Sequence, residues 1–448
     1  MPYMPNGPSQ PGRRSGRWQM GKPSTGAAPA LTIPLRFLVV GWVSALVGFS
    51  LAAANAPALA HAHFSQPAVL ATVHTFTLGF LTSTVMGMLY QWVPVITGRP
   101  LASPALAGGH FVAWVLALLC FIAGLGEANS LLMAVGGSLL AVGAGLFLAV
   151  MAATIRGSDR ALLPLLFVKA GLMYFALTVV LGLVLDAGLV HFARVSPSRL
   201  LALHIVVAVA GWLGLTLWGV SYRLFPMFVV SRVKPQRAGA VLVAMNAAIL
   251  LAAVGILGVS LALAAAVVLG LGATGMFLSD RAADWRTHRA RRPDPGIRLV
   301  QLAGILLVLV ALTGLQSLLY PHPRGLAAAL PALVLGVFLA AILGFGQRIW
   351  PFMVWTATAR GRDARTLPHL EELWPSEASR VSPWLTAGGV GLLAAGLGLA
   401  LAPVIQAGVV VLAAVQSWVG VMGVRMIVVA RHRRHLPGSR RGRPPSSS

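Results

Sequence analysis

The sequence predicts an all-α polytopic membrane protein with about twelve transmembrane helices in three repeated four-helix units. Three observations carry that prediction. The 448 residues are 57% hydrophobic and only 10% charged, whereas soluble domains carry about 25% charged residues. Twelve segments reach the ~20 mostly apolar residues that a spanning helix needs. Three of those segments share one internal pattern.

Residues 1–30 are rich in Pro, Gly, Ser and Arg and contain no apolar run, which reads as a disordered basic cytoplasmic tail. The membrane domain then runs over 31–430. Its apolar segments fall at roughly 31–55, 69–97, 105–125, 130–155, 163–187, 199–230, 238–258, 261–279, 298–319, 327–357, 384–402 and 405–430. The seventh and eighth are separated only by Gly258-Val259-Ser260, the least marked boundary. Residues 431–448 form a second basic tail.

A net charge of +24 in a soluble chain would suggest nucleic acid. Here the cations sit between apolar runs, so the positive-inside rule explains them, and no nucleic-acid partner is expected. With the N-terminus inside, Arg99, Arg156, Arg160, Arg232, Lys234, Arg237, the Arg281–Arg298 cluster, Arg360–Arg365 and the C-terminal arginines all face the cytoplasm. Of 34 Lys and Arg residues, only Arg194, Arg199 and Arg324 fall outside, and Lys169 lies within a helix. The expected location is the inner (plasma) membrane, with the lipid bilayer as first partner. The single cysteine, Cys120, excludes a disulfide framework and a cysteine-rich metal or iron–sulfur site.

The internal pattern occurs in the second, sixth and tenth segments. They end in Tyr90-Gln91-Trp92-Val93-Pro94, Tyr222-Arg223-Leu224-Phe225-Pro226 and Gln347-Arg348-Ile349-Trp350-Pro351. Glycines stand fifteen and seven residues before each proline: Gly79 and Gly87, Gly211 and Gly219, Gly336 and Gly344. The prolines are 132 and 125 residues apart, about four helices each time. This defines units of about 31–155, 163–279 and 298–430. Glycines eight apart lie within about 80° on a helix, so each pair is expected to line one close contact. The proline is expected to break the helix near the cytoplasmic surface.

Chemistry is expected where ionisable side chains enter the membrane. His74 and His204 each lie one to two turns into a repeated helix from the outer side, and imidazole is a common ligand for heme iron and copper. His61-Ala62-His63, in the first outer loop, offers two imidazoles one residue apart, and His191 and His322 flank other outer helix ends. These four are further candidate metal ligands. Plain structural roles account for each histidine alone: a neutral ring bonded to a neighbouring carbonyl, or ordinary loop composition. His110, His288, His369, His432 and His435 fall on the cytoplasmic side and read as charged-loop composition. Lys169, Asp186, Asn246, Gln301, Gln316, Gln406 and Gln416 are scattered among the helices and are expected mainly to bond to neighbouring helices. Arg223 and Arg348 share one repeat position and are expected to snorkel to the inner interface.

With these residues the chain resembles the heme–copper oxidase subunit I superfamily, which includes the nitric oxide reductase large subunit and NnrS-like membrane proteins. His74 followed by Gly87-Met88-Leu89-Tyr90-Gln91-Trp92-Val93-Pro94 looks like the family's second helix, and Gly344-Phe345-Gly346-Gln347-Arg348-Ile349-Trp350-Pro351 is similar to the same stretch. His204 sits on the sixth helix, where the family places a copper-ligand histidine. The resemblance implies three four-helix arcs, both termini inside, heme and/or copper as cofactor, and a redox partner subunit. The family's seventh-helix histidine pair and tenth-helix histidines have no counterpart in 238–258 or 327–357, and Pro331 stands where the repeat would place a histidine. The implied protein is a diverged respiratory or nitric-oxide-related redox protein without a complete oxygen-reducing centre. If it is an enzyme, it is an oxidoreductase of the cytochrome oxidase or nitric oxide reductase type. The alternatives are a twelve-helix small-solute transporter, or a cofactor-free membrane subunit or sensor of the same fold; either of these would hold no cofactor at the histidines.

Overall fold

Twelve long helices follow the apolar segments closely. The structure, a computed structural model, describes residues 29–156, 162–188, 195–233, 237–289, 295–320, 325–359, 370–375 and 377–435. The first unit contains α1 (Thr32–Ala54), α2 (Pro67–Thr97), α3 (Pro104–Gly126) and α4 (Ser130–Arg156). The second contains α5 (Leu163–Asp186), α6 (Pro197–Val229), α7 (Ala238–Ile256) and α8 (Ser260–Arg286). The third contains α9 (Pro295–Leu319), α10 (Leu326–Ala359), α11 (Ser382–Gly398) and α12 (Ala402–His435). Among the described residues there is no strand.

Eleven of these helices are long and apolar enough to cross a membrane. The twelfth, α11, has 17 residues, about 26 Å of helix against a hydrocarbon core of about 30 Å. It is held by its hairpin partner through glycines. A Cβ at Gly396 would lie 2.6 Å from Ile405 N, and one at Gly408 would lie 2.6 Å from Leu393 N. The chain is therefore an all-α polytopic membrane protein of about twelve spans. The boundary between the seventh and eighth segments is a real turn, with Gly258 at φ +134°, a conformation L side chains rarely adopt.

The helices pair as six hairpins in chain order: α1 with α2, α3 with α4, and so on to α11 with α12. α4 packs on α5, α8 touches α9, and α12 packs on α1, so the bundle closes. Chain direction alternates, so α2, α6 and α10 run parallel. Their first residues lie at the end of the bundle opposite to the start of α1, called here the histidine end. Their prolines lie at the other end.

The paired glycines act as the spacing predicts. A Cβ at Gly79 would lie 2.7 Å from Ser44 Cβ, and one at Gly87 would lie 2.9 Å from Pro34 O, both on α1. Gly211 and Gly219 meet Tyr174 and Phe167 of α5 in the same way. The third unit departs in part: Gly344 closes on Gly296 and Val300 of α9, but Gly336 touches Val390 of α11 as well as Leu306 of α9. The repeat also reaches the first helix of each unit. Gly41 receives Thr84 and Gly171 receives Thr216, and both threonines stand ten residues before their proline.

The prolines do not break their helices. α2 runs through Pro94 to Thr97, α6 through Pro226 to Val229, and α10 through Pro351 to Ala359. A proline deletes one backbone hydrogen bond and crowds one carbonyl, and at these positions the helices continue despite that local cost. In α2 and α6 the stop comes four residues later. Gly98 (φ 70°) and Val230 (φ 55°) take the left-handed conformation, and the next amides, Arg99 N–H and Ser231 N–H, donate to the carbonyls of Pro94 and Pro226 at 3.1 and 2.9 Å.

α2, α6 and α10 meet on the axis between the units. They line one narrow apolar cleft, with Leu81 and Met88 from α2, Leu213 and Leu217 from α6, and Phe338 and Ile342 from α10 among its walls.

Candidate functional site

His74 and His204 lie at the same end of neighbouring repeat helices, each just ahead of an irregular segment. α2 changes from α- to π-helix over Thr75–Thr82, and α6 does so over Val207–Gly214. Measured from Pro94 and Pro226, both π segments run from nineteen to twelve residues before the proline. π segments are rare and frequently mark functional sites. α10 has no such segment, in keeping with its lack of a histidine.

The two rings start from different sides of their helices, because His74 stands twenty and His204 twenty-two residues before the proline, a rotation of about 200° at 100° per residue. His74 leans toward α3, where the Phe121 ring stands edge-on at 5.6 Å. Its Nδ1–H donates to the Leu70 carbonyl of its own helix at 2.8 Å. That bond fixes the tautomer and leaves Nε2 with a free lone pair. His204 leans toward α5. A Cβ at Gly182 would lie 3.2 Å from its Cε1, so the ring packs closely on the α5 backbone there. Its Nδ1 is buried without a hydrogen bond, although the ring faces the Thr178 carbonyl. His204 is within electrostatic reach of His74. The two predicted residues thus lie at the same end of the bundle, with their rings turned toward different helices, α3 and α5.

The other candidates separate. His61 and His63 are exposed on the turn after a short helix, Ala56–Ala60, with ring centroids 6.0 Å apart. Ala62 between them has φ 57°, and Gln66 Nε2 donates to His63 Nδ1 at 3.2 Å. His191 and His322 lie outside the described residues. Among the described residues no group of three or more His, Cys, Asp or Glu side chains is arranged to hold a metal. No protein-family model matches the sequence, and no curated protein does.

The scattered polar residues do not share one role: of those expected to bond to neighbouring helices, Gln406 does so, while Asp186, Gln316 and Gln416 each keep a buried side-chain oxygen without a hydrogen bond. Asn246 donates to the Leu242 carbonyl of its own helix at 2.8 Å, and Gln406 donates to Ala53 of α1 at 3.1 Å. Lys169 and Arg223 are exposed on outer helix faces, where long cationic side chains reach the interface. Arg348 lies over the Phe228 ring at 5.7 Å. Asp186 ends α5 against α4, with Oδ1 buried and unbonded, and a Cβ at Gly137 would lie 2.9 Å from its Oδ2.

One expectation needs correction. His110 is not charged-loop composition: it is fully buried inside the first unit. Its Nδ1 shares a 2.8 Å hydrogen bond with Tyr90 Oη, and its Nε2 has no partner. The sequence carried a signal for this, because residue 110 lies inside the apolar segment 105–125 and intramembrane ionisable residues are costly. Tyr90 stands four residues before Pro94, and Tyr222 and Gln347 hold the same register. Each bonds across its own unit: Tyr222 Oη–H donates to Asp280 Oδ2 of α8 at 3.0 Å, and Gln347 Nε2–H donates to Ser382 Oγ of α11 at 3.2 Å. Arg281 lies over the Tyr222 ring at 4.4 Å, pairs with Asp284 at 3.1 Å and donates to Ser221 O at 3.0 Å.

Proposed function

We propose that the protein is a diverged redox protein of the heme–copper oxidase subunit I type, which holds one heme or one metal ion between His74 and His204. The observation that carries this reading is the placement of two imidazoles, within electrostatic reach of each other, at the heads of π segments set in identical register.

The side chains suit such a group. His74 is oriented by its bond to Leu70 and offers Nε2, while His204 turns Nδ1 toward the Thr178 carbonyl, which leaves Nε2 as its ligating nitrogen. Two neutral nitrogens suit heme iron or copper better than Ca²⁺ or Mg²⁺, which take oxygen ligands. They would hold a heme iron or a copper ion through two imidazoles, and do not make a centre that needs three histidines. A group bound there would supply one-electron transfer or coordination of a small diatomic molecule. The surrounding helices would hold the rings and keep water out. In this reading both termini face the cytoplasm, the protein sits in the plasma membrane, and a separate subunit delivers electrons.

The test is an absorption spectrum with metal analysis on detergent-purified protein. A Soret band, or about one iron or copper per chain, is the expected result. Absence of both would leave a cofactor-free membrane subunit or a transporter.

A further inference from the structure

We propose that Tyr90 is a one-electron redox site and that His110 is its built-in proton acceptor. Both side chains are 0% exposed and share a 2.8 Å hydrogen bond in the first unit. The direction of that bond follows from counting unmet groups. With the phenol donating to Nδ1, only the Nε2–H of His110 lacks a partner. With Nδ1–H donating instead, both the phenol proton and the Nε2 lone pair would be unmet. Each unmet buried group is costly, so the phenol donates.

That geometry suits proton-coupled oxidation. A one-electron oxidant takes an electron from the ring, and the O–H proton moves across the bond to Nδ1. The products are a neutral phenoxyl radical and an imidazolium protonated on both nitrogens. Return of one electron brings the proton back to oxygen. The imidazolium would form inside an aromatic cage, with Phe37 stacked at 4.7 Å, Phe147 at 5.4 Å and Trp114 at 5.8 Å. Aromatic faces stabilise a cation, and Phe37 presents its face to the imidazole.

A route for the electron is also present. The Tyr90 ring is 5.5 Å from Phe147, and Phe147 is 6.4 Å from Trp212 of α6. Trp212 stands two turns from His204 on that helix. The oxidant would be an oxidised heme or metal centre, but the Tyr90–His110 pair does not depend on one, and any one-electron oxidant tests it. Tyr222 is the natural comparison. It too has a base, Asp280, but the Arg281 guanidinium lies over its ring and opposes removal of an electron.

The test uses the full purified chain, frozen and irradiated with ultraviolet light, followed by electron paramagnetic resonance. A persistent tyrosyl radical is expected in the wild type and in Tyr222→Phe. Most of it should be lost in Tyr90→Phe and in His110→Phe. If those variants do not fold, electron–nuclear double resonance on wild-type protein with ¹⁵N-histidine decides the matter. Coupling to an exchangeable hydrogen-bonded proton and to a histidine nitrogen is expected. A radical that persists in Tyr90→Phe, or a wild-type radical without those couplings, overturns the proposal.

Discussion

Trp212 donates its indole N–H to Thr82 Oγ1 across 3.3 Å, so the π segment of α6 is tied to the π segment of α2. The bond joins the first unit to the second just below the two histidines. Trp212→Phe should lower stability by about 1 kcal/mol for the lost bond, plus a packing term for the smaller ring. A double-mutant cycle with Thr82→Val should show coupling of about 0.5–1.5 kcal/mol in detergent unfolding. Strict additivity would mean that the bond contributes nothing.

The glycines separate into those that close helices and those that do not. A Cβ at Gly219 would lie 2.6 Å from Phe167 Cβ and 2.8 Å from Pro164 O, whereas one at Gly108 would meet nothing within 4 Å. Gly219→Ala should therefore cost about 1–3 kcal/mol as overpacking. Gly108→Ala should be neutral or stabilise by up to about 1 kcal/mol, since alanine is the better helix former. Thermal melts of the two variants in one detergent check the contrast, and equal effects would contradict the close α5–α6 contact.

This contrast also shows what the sequence could reveal. The spans and most of the −15/−7 glycine contacts were legible, because length, hydropathy and fixed spacing report helix geometry directly. Gly79, Gly87, Gly211, Gly219 and Gly344 lie where the spacing puts them. The helix continuing through Pro94 was not legible, because a proline's local penalty does not by itself fix where a helix ends. The role of His110 was missed because its partner, Tyr90, lies on another helix, and residue type alone does not give a side chain's neighbour. His74 and His204 could be named, but their shared π register comes from backbone geometry that no residue pattern announces.

Val230 takes the left-handed conformation at φ 55° where the first repeat has Gly98. A β-branched residue there is a genuine outlier, and the conformation costs an L-residue about 1–2 kcal/mol. Val230 is exposed, so little packing is lost on truncation. Val230→Gly should raise stability by about 1 kcal/mol by removing that cost, and Gly98→Val should lower it. A melting temperature that falls in Val230→Gly would contradict the assigned helix end.

His61 and His63 are exposed on one turn, with their rings 6.0 Å apart, whereas His74 lies within α2. Replacing both with Ala should leave any tightly held heme or metal in place, read as unchanged stoichiometry after dialysis against chelator. Loss of the bound group in that double variant would move the site out to the loop.

The central claim is that His74 and His204 share one bound group. Its most direct measurement is the visible absorption spectrum, with iron and copper analysis, of the wild type beside His74→Ala and His204→Ala, each shown to be folded. The account predicts a Soret band or about one bound metal in the wild type, and loss or a spectral shift in both variants. A folded wild type with neither a Soret band nor bound iron or copper, or a cofactor indifferent to both substitutions, would contradict it.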